Sequence, residues 1–516
     1  MIIIGLFLVT FLVHAFLRNS VFQSDESIYT YSAYAISRGC VPYSGIQLAH
    51  PPYMYLILAF FVNLVGPTLS FLSLAASVVV ILTGMLVFII AKRSRLYSSY
   101  SIVPVLSIGI YSFITFDNFS TSFLEIILAF FILLCTAIYV LFILNNGQRN
   151  QPALFIVGIL MGLSLMIKYT SLVFSITLFL YHCIWLLWKK ERKRAFIDGI
   201  TLCLGAAIPI IISIALVAFV WGSFRQFYLQ SIYWQTVRWS APLNQRLYYI
   251  LIYIAKFAPL LILSGIGTFL IYRKTRNLHA LFFPIIFIST IISLALFFNT
   301  FFLHYLYYLS PFLALLSAYG LAVTLDVIRN NSVRIKRNTK KIAKFLVFVT
   351  VVVIAIEVGA QVILMRDSLD DSTHFSIGQY ISQITTPNEK IWTSEGAIAF
   401  FAQRLIVAAN SSDWPIQCSF SDIFAYEFDT YMGASMKDYR NGVVFPKQFV
   451  ESWESNKIKV IVIIRGTARV PYPDELLWSG FQNLTGVSEY VQEKYLLNQT
   501  FISADGFHAH EIWLRK

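Results

Sequence analysis

The sequence predicts a polytopic α-helical membrane protein with about eleven spans, external juxtamembrane helices, and a small soluble α/β domain after the last span. Three observations predict it. The 516 residues are 58% hydrophobic and 13% charged, whereas soluble chains are about 45–50% apolar and about 25% charged. The apolar residues are gathered into long runs parted by short polar or basic stretches, as helices must be that satisfy their own backbone in lipid. Residues 366–516 return to ordinary amounts of Asp, Asn, Pro and Ser.

The runs fall at 2–18, 68–91, 98–116, 120–144, 152–168, 170–188, 197–221, 248–271, 278–298, 305–327 and 345–365. Their lengths suit the ~17–25 residues that cross the hydrocarbon. The first run lacks a basic flank and a small-residue cleavage site, so it reads as a retained helix rather than a signal peptide.

Four basic loops set the orientation: Lys92–Arg95, Lys189–Arg194, Arg273–Arg276 and Arg334–Lys344. With eleven spans and a cytoplasmic N-terminus all four are cytoplasmic, as the positive-inside rule requires. The formal net charge of +13 is thereby assigned to membrane orientation, and nucleic acid is set aside as a partner. Pro52–Val65 is apolar but only about 14 residues long, short for a crossing. Counting it as a span would turn every basic loop outward, so it reads as an external helix at the membrane surface. The same parity puts Asp25, Asp117, Lys168, the 222–247 loop and His304 on the external face.

The domain boundary is drawn at 365/366. Short β-like runs at Lys390–Thr393, Arg404–Ala408, Lys459–Ile464 and Glu511–Leu514 alternate with helical segments. Sequons at Asn410, Asn483 and Asn498, with a fourth at Asn118, fit an external location, and the Asn330 sequon falls in a cytoplasmic loop. The five cysteines show no zinc spacing. Cys135, Cys183 and Cys203 sit in apolar runs, and Cys40 and Cys418 are both external candidates.

The first external loop holds Asp25-Glu26 just past a membrane helix, where carboxylates are costly unless solvated or used. Ser24 or Asp25 also suits the start of a helix running through Tyr34. The loop continues DESIYTYSAYAISRGCVPY and, after a spacer, HPPYMYL from His50 to Leu56. This string resembles the first external loop of the GT-C glycosyltransferase superfamily, nearest to its protein O-mannosyltransferase and aminoarabinose transferase branch. Weaker likenesses follow in order: Phe116-Asp117-Asn118, Gly162 to Tyr169 around Lys168, His304 to Pro311, and Ala399 to Arg404. The resemblance implies a GT-C-like fold in which the Pro-Pro stretch is juxtamembrane, and a polyprenyl-phosphate-linked sugar as donor. It further implies inverting transfer of a hexose or pentose to a glycan, protein or lipid acceptor. Relatives often carry a phosphate-binding Lys where this chain has His50, which holds full charge only when protonated.

Sugar transfer from a lipid phosphate needs a base for the acceptor hydroxyl and a stabiliser for the departing phosphate. Asp25 is the candidate base, Glu26 a candidate to bind the acceptor or orient the loop, and Asp117 the candidate orienting carboxylate, with helix capping as its alternative. Candidate substrate-binding residues are Tyr29, His50, Tyr53, Lys168, Arg225, Arg238, Arg246, His304 and Tyr305. Lys168 could equally snorkel, and His304 and Tyr305 could belong to an aromatic belt. The Trp221–Leu247 loop supplies aromatic rings and arginines, the latter suited to phosphate, with interfacial anchoring as its alternative. No Rossmann or P-loop motif is present. No cofactor is required; a divalent metal on Asp25 or Glu26 with Asp117 stays open. The rival reading is a membrane transporter or lipid flippase, which would use mid-span charges such as Glu125, Lys256 and Glu357. A further alternative, a receptor with an external domain, needs neither Asp25 nor Asp117.

Overall fold

A computed structural model of the protein describes residues 2–17, 24–46, 48–68, 71–94, 100–117, 123–145, 150–233, 243–275, 278–297, 303–329, 341–342, 344–353, 355–356, 372–393, 396–406, 450–451, 453–466, 487–502 and 508–516. In chain order the helices are α1 (Ile2–Leu17), α2 (Ser24–Ser37), α3 (Pro52–Val65), α4 (Phe71–Arg93), α5 (Val103–Asp117), α6 (Phe123–Tyr139), α7 (Gln151–Leu165), α8 (Ser171–Trp188), α9 (Arg192–Ala215), α10 (Phe224–Phe227), α11 (Leu243–Lys256), α12 (Ala258–Thr275), α13 (Phe282–Phe297) and α14 (Ser310–Arg329). Then come α15 (Lys344–Val353), α16 (Ser372–Ile384), β1 (Ile391–Thr393), α17 (Gly396–Ala402), β2 (Val460–Gly466), α18 (Val487–Lys494), β3 (Tyr495–Ile502) and β4 (His508–Arg515). Every apolar run assigned to a span consists chiefly of helix where it is described.

The protein is a multi-pass membrane protein. Among the described residues five helices are long and apolar enough to cross a bilayer: Leu74–Arg93, Phe123–Leu144, Ser171–Trp188, Arg192–Val220 and Tyr305–Arg329. The run at 248–271 departs from the straight span expected. It forms α11 and α12, bent by 76°, because Pro259 brings no N–H to the ladder and clashes with the preceding turn. α3 matches its expected length; Pro52 opens it at the first helical position, and Gly66 closes it with φ +82°.

The chain divides into two compact units. The first comprises Met1–Arg18, Ser73–Ser213 and Trp239–Arg366. Its helices close on glycines, since apolar lipid gives no drive to associate and close backbone approach supplies the attraction. A Cβ on Gly158 or Gly162 of α7 would collide with the carbonyl oxygens of Leu202 and Ala206 on α9, and one on Gly320 of α14 with that of Leu263 on α12. At one end of this unit a buried polar network ties four helices. The Tyr139 hydroxyl meets His182 Nδ1 at 3.0 Å, and His182 Nε2 meets Asp198 at 3.3 Å. Gln151 donates to Asp198 and accepts from Thr201 at 2.6 Å.

The second unit comprises Asn19–Leu72, Ile214–Arg238 and Asp367–Lys516. Its sheet has the order β1-β2-β4-β3, with β1 and β2 parallel and the other pairs antiparallel. Val460, Ile461 and Val462 are all buried, as a central strand covered on both faces should be. β3 is the exposed edge strand and was not among the strands expected; its Leu-Leu-Asn-Gln-Thr alternates poorly and carries a register shift at Leu497/Gln499. Trp392 and Trp453 pack ring to ring at 5.2 Å beneath the sheet. The run at Arg404–Ala408 is described through Ile406, where it makes one isolated parallel bridge from Ile406 to Ile391.

The glycine seam makes a direct prediction. Gly162→Leu should lower the melting temperature of the detergent-solubilised protein, overpacking costing about 1–3 kcal/mol or more. Gly265, with nothing within 4 Å of a built Cβ, should accept Ala without loss. A wild-type melt for Gly162→Leu would contradict the packing account.

Candidate active site

The acidic pair rides on a helix held at several points. Asp25 and Glu26 occupy the first turn of α2, and their side chains lie outside the described residues. Further along, α2 is fixed within its own unit. The Ile406 N–H donates to the buried Tyr31 hydroxyl at 2.7 Å, and burial holds that hydroxyl's pKa well above its ordinary value. Tyr34 meets Phe400 of α17 edge-on at 6.0 Å. Arg404, on the far side of α17, donates to Thr385 Oγ1 at 2.8 Å and to the carbonyls of Thr385 and Ala402. The Ala399–Arg404 element singled out in the sequence thus forms the brace under α2.

The loop after α2 is pinned from inside. Gly39 turns the chain with φ +91°, and Tyr43 adopts φ +67°, uncommon for a side chain of its size. Its ring is fully buried and its hydroxyl donates to the His50 carbonyl at 2.9 Å. The Gln230 amide accepts from the Leu48 N–H at 3.0 Å and donates to the Tyr43 carbonyl at 2.9 Å. Ser223 donates to the Pro42 carbonyl at 3.0 Å. The outcome is a fixed His50, buried, with Nε2 at 2.9 Å from the Tyr29 hydroxyl. Tyr55 stacks edge-on to Tyr29 at 6.1 Å, and Tyr53 is half-buried on α3. The hydroxyl of Tyr29 is therefore engaged in positioning His50. Arg225 is exposed on α10, and Arg238 lies outside the described residues. Cys40 is disulfide-bonded; Cys135, Cys183 and Cys203 are free, and Cys418 lies outside the described residues.

The first unit carries the other candidates. Lys168 sits in the tight turn between α7 and α8, its N–H bonded to the Ser164 carbonyl at 3.0 Å. Its side chain is buried rather than snorkelling. The ammonium pairs with the Glu125 carboxylate and lies 3.9 Å from the centroid of the Tyr305 ring. Glu125 is in the first turn of α6, where the helix dipole favours an anion. Tyr305 comes from a 3-10 segment, Leu303–Leu309, that leads into α14. Arg246 donates to the Ala295 carbonyl at 2.9 Å. Asp117 ends α5, and His304 lies in the 3-10 segment; the side chains of both are outside the described residues. Glu125 is the residue that the sequence marked only as a mid-span charge. Its position at a helix start, in an otherwise apolar run, was the signal of a specific partner.

The structure thus joins Tyr29 with His50, and Lys168 with Tyr305. Among the described residues no group of three or more His, Cys, Asp or Glu side chains could hold a metal; Asp25, Glu26 and Asp117 fall outside that description.

Comparison with known proteins extends the geometry. Residues 49–221 match the family model described as dolichyl-phosphate-mannose-protein mannosyltransferase. No curated protein sequence matches the chain. In fold the chain is similar to ArnT from Cupriavidus metallidurans, in a crystal structure bound to undecaprenyl phosphate. The two are 13% identical, 99% of this chain and 97% of that one are covered, and the TM-score is 0.61. It is also similar to the oligosaccharyltransferase of Archaeoglobus fulgidus in its apo form, at 11% identity over 98% of this chain and 74% of that one, with a TM-score of 0.53. Over nearly the whole chain the fold is thus that of ArnT and of the archaeal oligosaccharyltransferase, and residues 49–221 within it resemble the mannosyltransferase family.

Proposed function

We propose that the chain transfers a monosaccharide, a hexose or pentose, from a polyprenyl-phosphate donor to an acceptor hydroxyl on the external face of the membrane, with inversion at the anomeric carbon. The observation that carries the reading is the acidic pair at the start of a braced helix, followed by a pinned turn and a Pro-Pro helix start. It lies in a fold shared with a transferase solved with undecaprenyl phosphate bound.

In this reading Asp25 takes the acceptor's proton as the acceptor oxygen bonds to the anomeric carbon. The bond from that carbon to the phosphate oxygen breaks, and the lipid phosphate leaves with the electron pair. Lys168 meets the developing charge on the phosphate. His50 and Tyr305, together with Arg225, Arg238, Arg246 and His304, supply further phosphate and headgroup contacts, while Tyr29 and Tyr53 line the sugar side. Glu26 binds the acceptor and Asp117 orients it. The charge topology of the sequence assigns all these residues to the external side. A divalent metal held by Asp25 or Glu26 with Asp117 is compatible with the reading and is not needed by it.

Placement of the charges favours this reading over a transporter. Glu125 lies in the first turn of α6 and is paired with Lys168, and Lys256 is the last residue of α11. Glu125 thus sits at a helix start rather than mid-span, and Lys256 at the break between α11 and α12.

Asp25→Asn should lower transfer from a polyprenyl-phosphate sugar by about 10²–10⁴-fold, the range for a lost general base, with an unchanged melt. Transfer at the wild-type rate would remove the base assignment. A panel of radiolabelled lipid-phosphate sugars given to the purified protein identifies the donor; transfer from none of them would overturn the reading.

A further inference from the structure

We propose that Glu125 is a positioning residue: it holds the Lys168 ammonium charged, and fixed on the face of Tyr305, as the contact for the donor's phosphate. This rests on the reading of Lys168 given above and deepens it.

Three separate stretches of chain meet at this point. Glu125 comes from α6, Lys168 from the α7–α8 turn, and Tyr305 from the 3-10 segment before α14. Glu125 is 1% exposed and Lys168 6%. Taking both charges out of water carries a large desolvation penalty, and apolar residues of the same volume would often hold such a junction as well or better. Packing alone therefore gives a poor reason for the pair. A cation needed at a fixed point gives a good one. A lone buried ammonium would shed its proton, because burial disfavours the charged form, and a carboxylate beside it reverses that preference. The aromatic face adds a second attraction to the same cation.

The geometry also restricts where the ammonium can go. The turn is closed by backbone bonds from Met166 to Gly162, Lys168 to Ser164 and Ser171 to Lys168. The lysine stem thus starts from a fixed point and its tip is held by Glu125. A flexible lysine becomes a located charge, and phosphate recognition gains from not having to order it. Among the described residues the other titratable groups on the turn and the 3-10 segment are Tyr169, Tyr305, Tyr307 and Tyr308, of which Tyr308 is within electrostatic reach of Glu125. Tyrosines are neutral in the physiological range, so the charge state here is set by Glu125 and Lys168, with the His304 side chain outside the described residues.

The test is equilibrium binding of undecaprenyl phosphate to the full-length protein in nanodiscs, at pH 6 and pH 8.5. Wild type should bind at both. Lys168→Gln should weaken binding at both by about tenfold or more, the value of one charge-assisted hydrogen bond. Glu125→Gln leaves the lysine without its counter-charge and lowers its proton affinity. Its cation is then present at low pH and lost as pH rises, so binding should fall by about tenfold at pH 8.5 and recover toward wild type at pH 6. Glu125→Asp should restore binding at pH 8.5. The charge swap, Glu125→Lys with Lys168→Glu, keeps an ion pair for folding but moves the cation; its melt should approach wild type while binding stays lost.

Glu125→Gln binding as wild type at both pH values would overturn the proposal, as would a swapped pair that binds normally. A pH-independent loss that the Asp variant does not rescue would also overturn it, since that marks a structural role only. Failure of the underlying reading looks different: wild type would not bind the lipid phosphate, or Lys168→Gln would bind as wild type, and the positioning role would fall with it.

Discussion

A lysine ammonium buried among apolar helices needs a counter-charge, and in this chain that need fixes how one end of the helical unit is built. Lys168 cannot occupy its turn as a cation unless the first turn of α6 brings Glu125 to it. Glu125 in turn gains from the dipole of its own helix. Tyr305 covers the ammonium because the 3-10 segment before α14 runs across this point. One ion pair thereby links α6, α7, α8 and α14 at the end that the charge topology assigns to the outside. Gly162 shows the same economy of position. It opens the motif that ends in Lys168, yet its own task is to let α7 approach α9 within carbonyl contact.

The second unit rests on a different constraint, the satisfaction of polar groups in a buried turn. Residues 40–46 and 48–51 surround a Tyr43 held at positive φ, and an unpaired backbone group there would cost about 1–3 kcal/mol. Gln230 and Ser223, from a distant stretch of chain, meet those groups. Tyr31 and Phe400 then couple α2 to the C-terminal residues through a buried backbone donor and a ring edge. The C-terminal region is a part of what holds α2, and with it the acidic pair.

Much of this was legible in the sequence because lipid imposes simple rules. Each apolar run had to be helical, and each is chiefly so where it is described. The Pro-Pro start and the 14-residue length of α3 fixed its extent closely, as Pro fits the first helical position and Gly66 supplies the left-handed stop. The bend at Pro259 was equally written in the chain, but its run is apolar enough to read as one span. Other features depend on partners far away in sequence. Glu125 and Lys168 are 43 residues apart, and nothing local to either names the other. Gln230 is 187 residues from the Tyr43 carbonyl it caps. β3 escaped notice because an exposed edge strand needs little apolar alternation. The bond between the Tyr29 hydroxyl and His50, 21 residues apart, likewise has no local signal.

The most direct measurement is photo-crosslinking of the full-length protein in membranes with a diazirine-bearing polyprenyl phosphate, mapped by mass spectrometry. The account predicts label on peptides containing Lys168 and Tyr305, displaced by unlabelled polyprenyl phosphate and diminished in Lys168→Gln. Displaceable label confined to the Tyr139–His182–Asp198 end of the bundle, or none that the unlabelled lipid competes away, would contradict it.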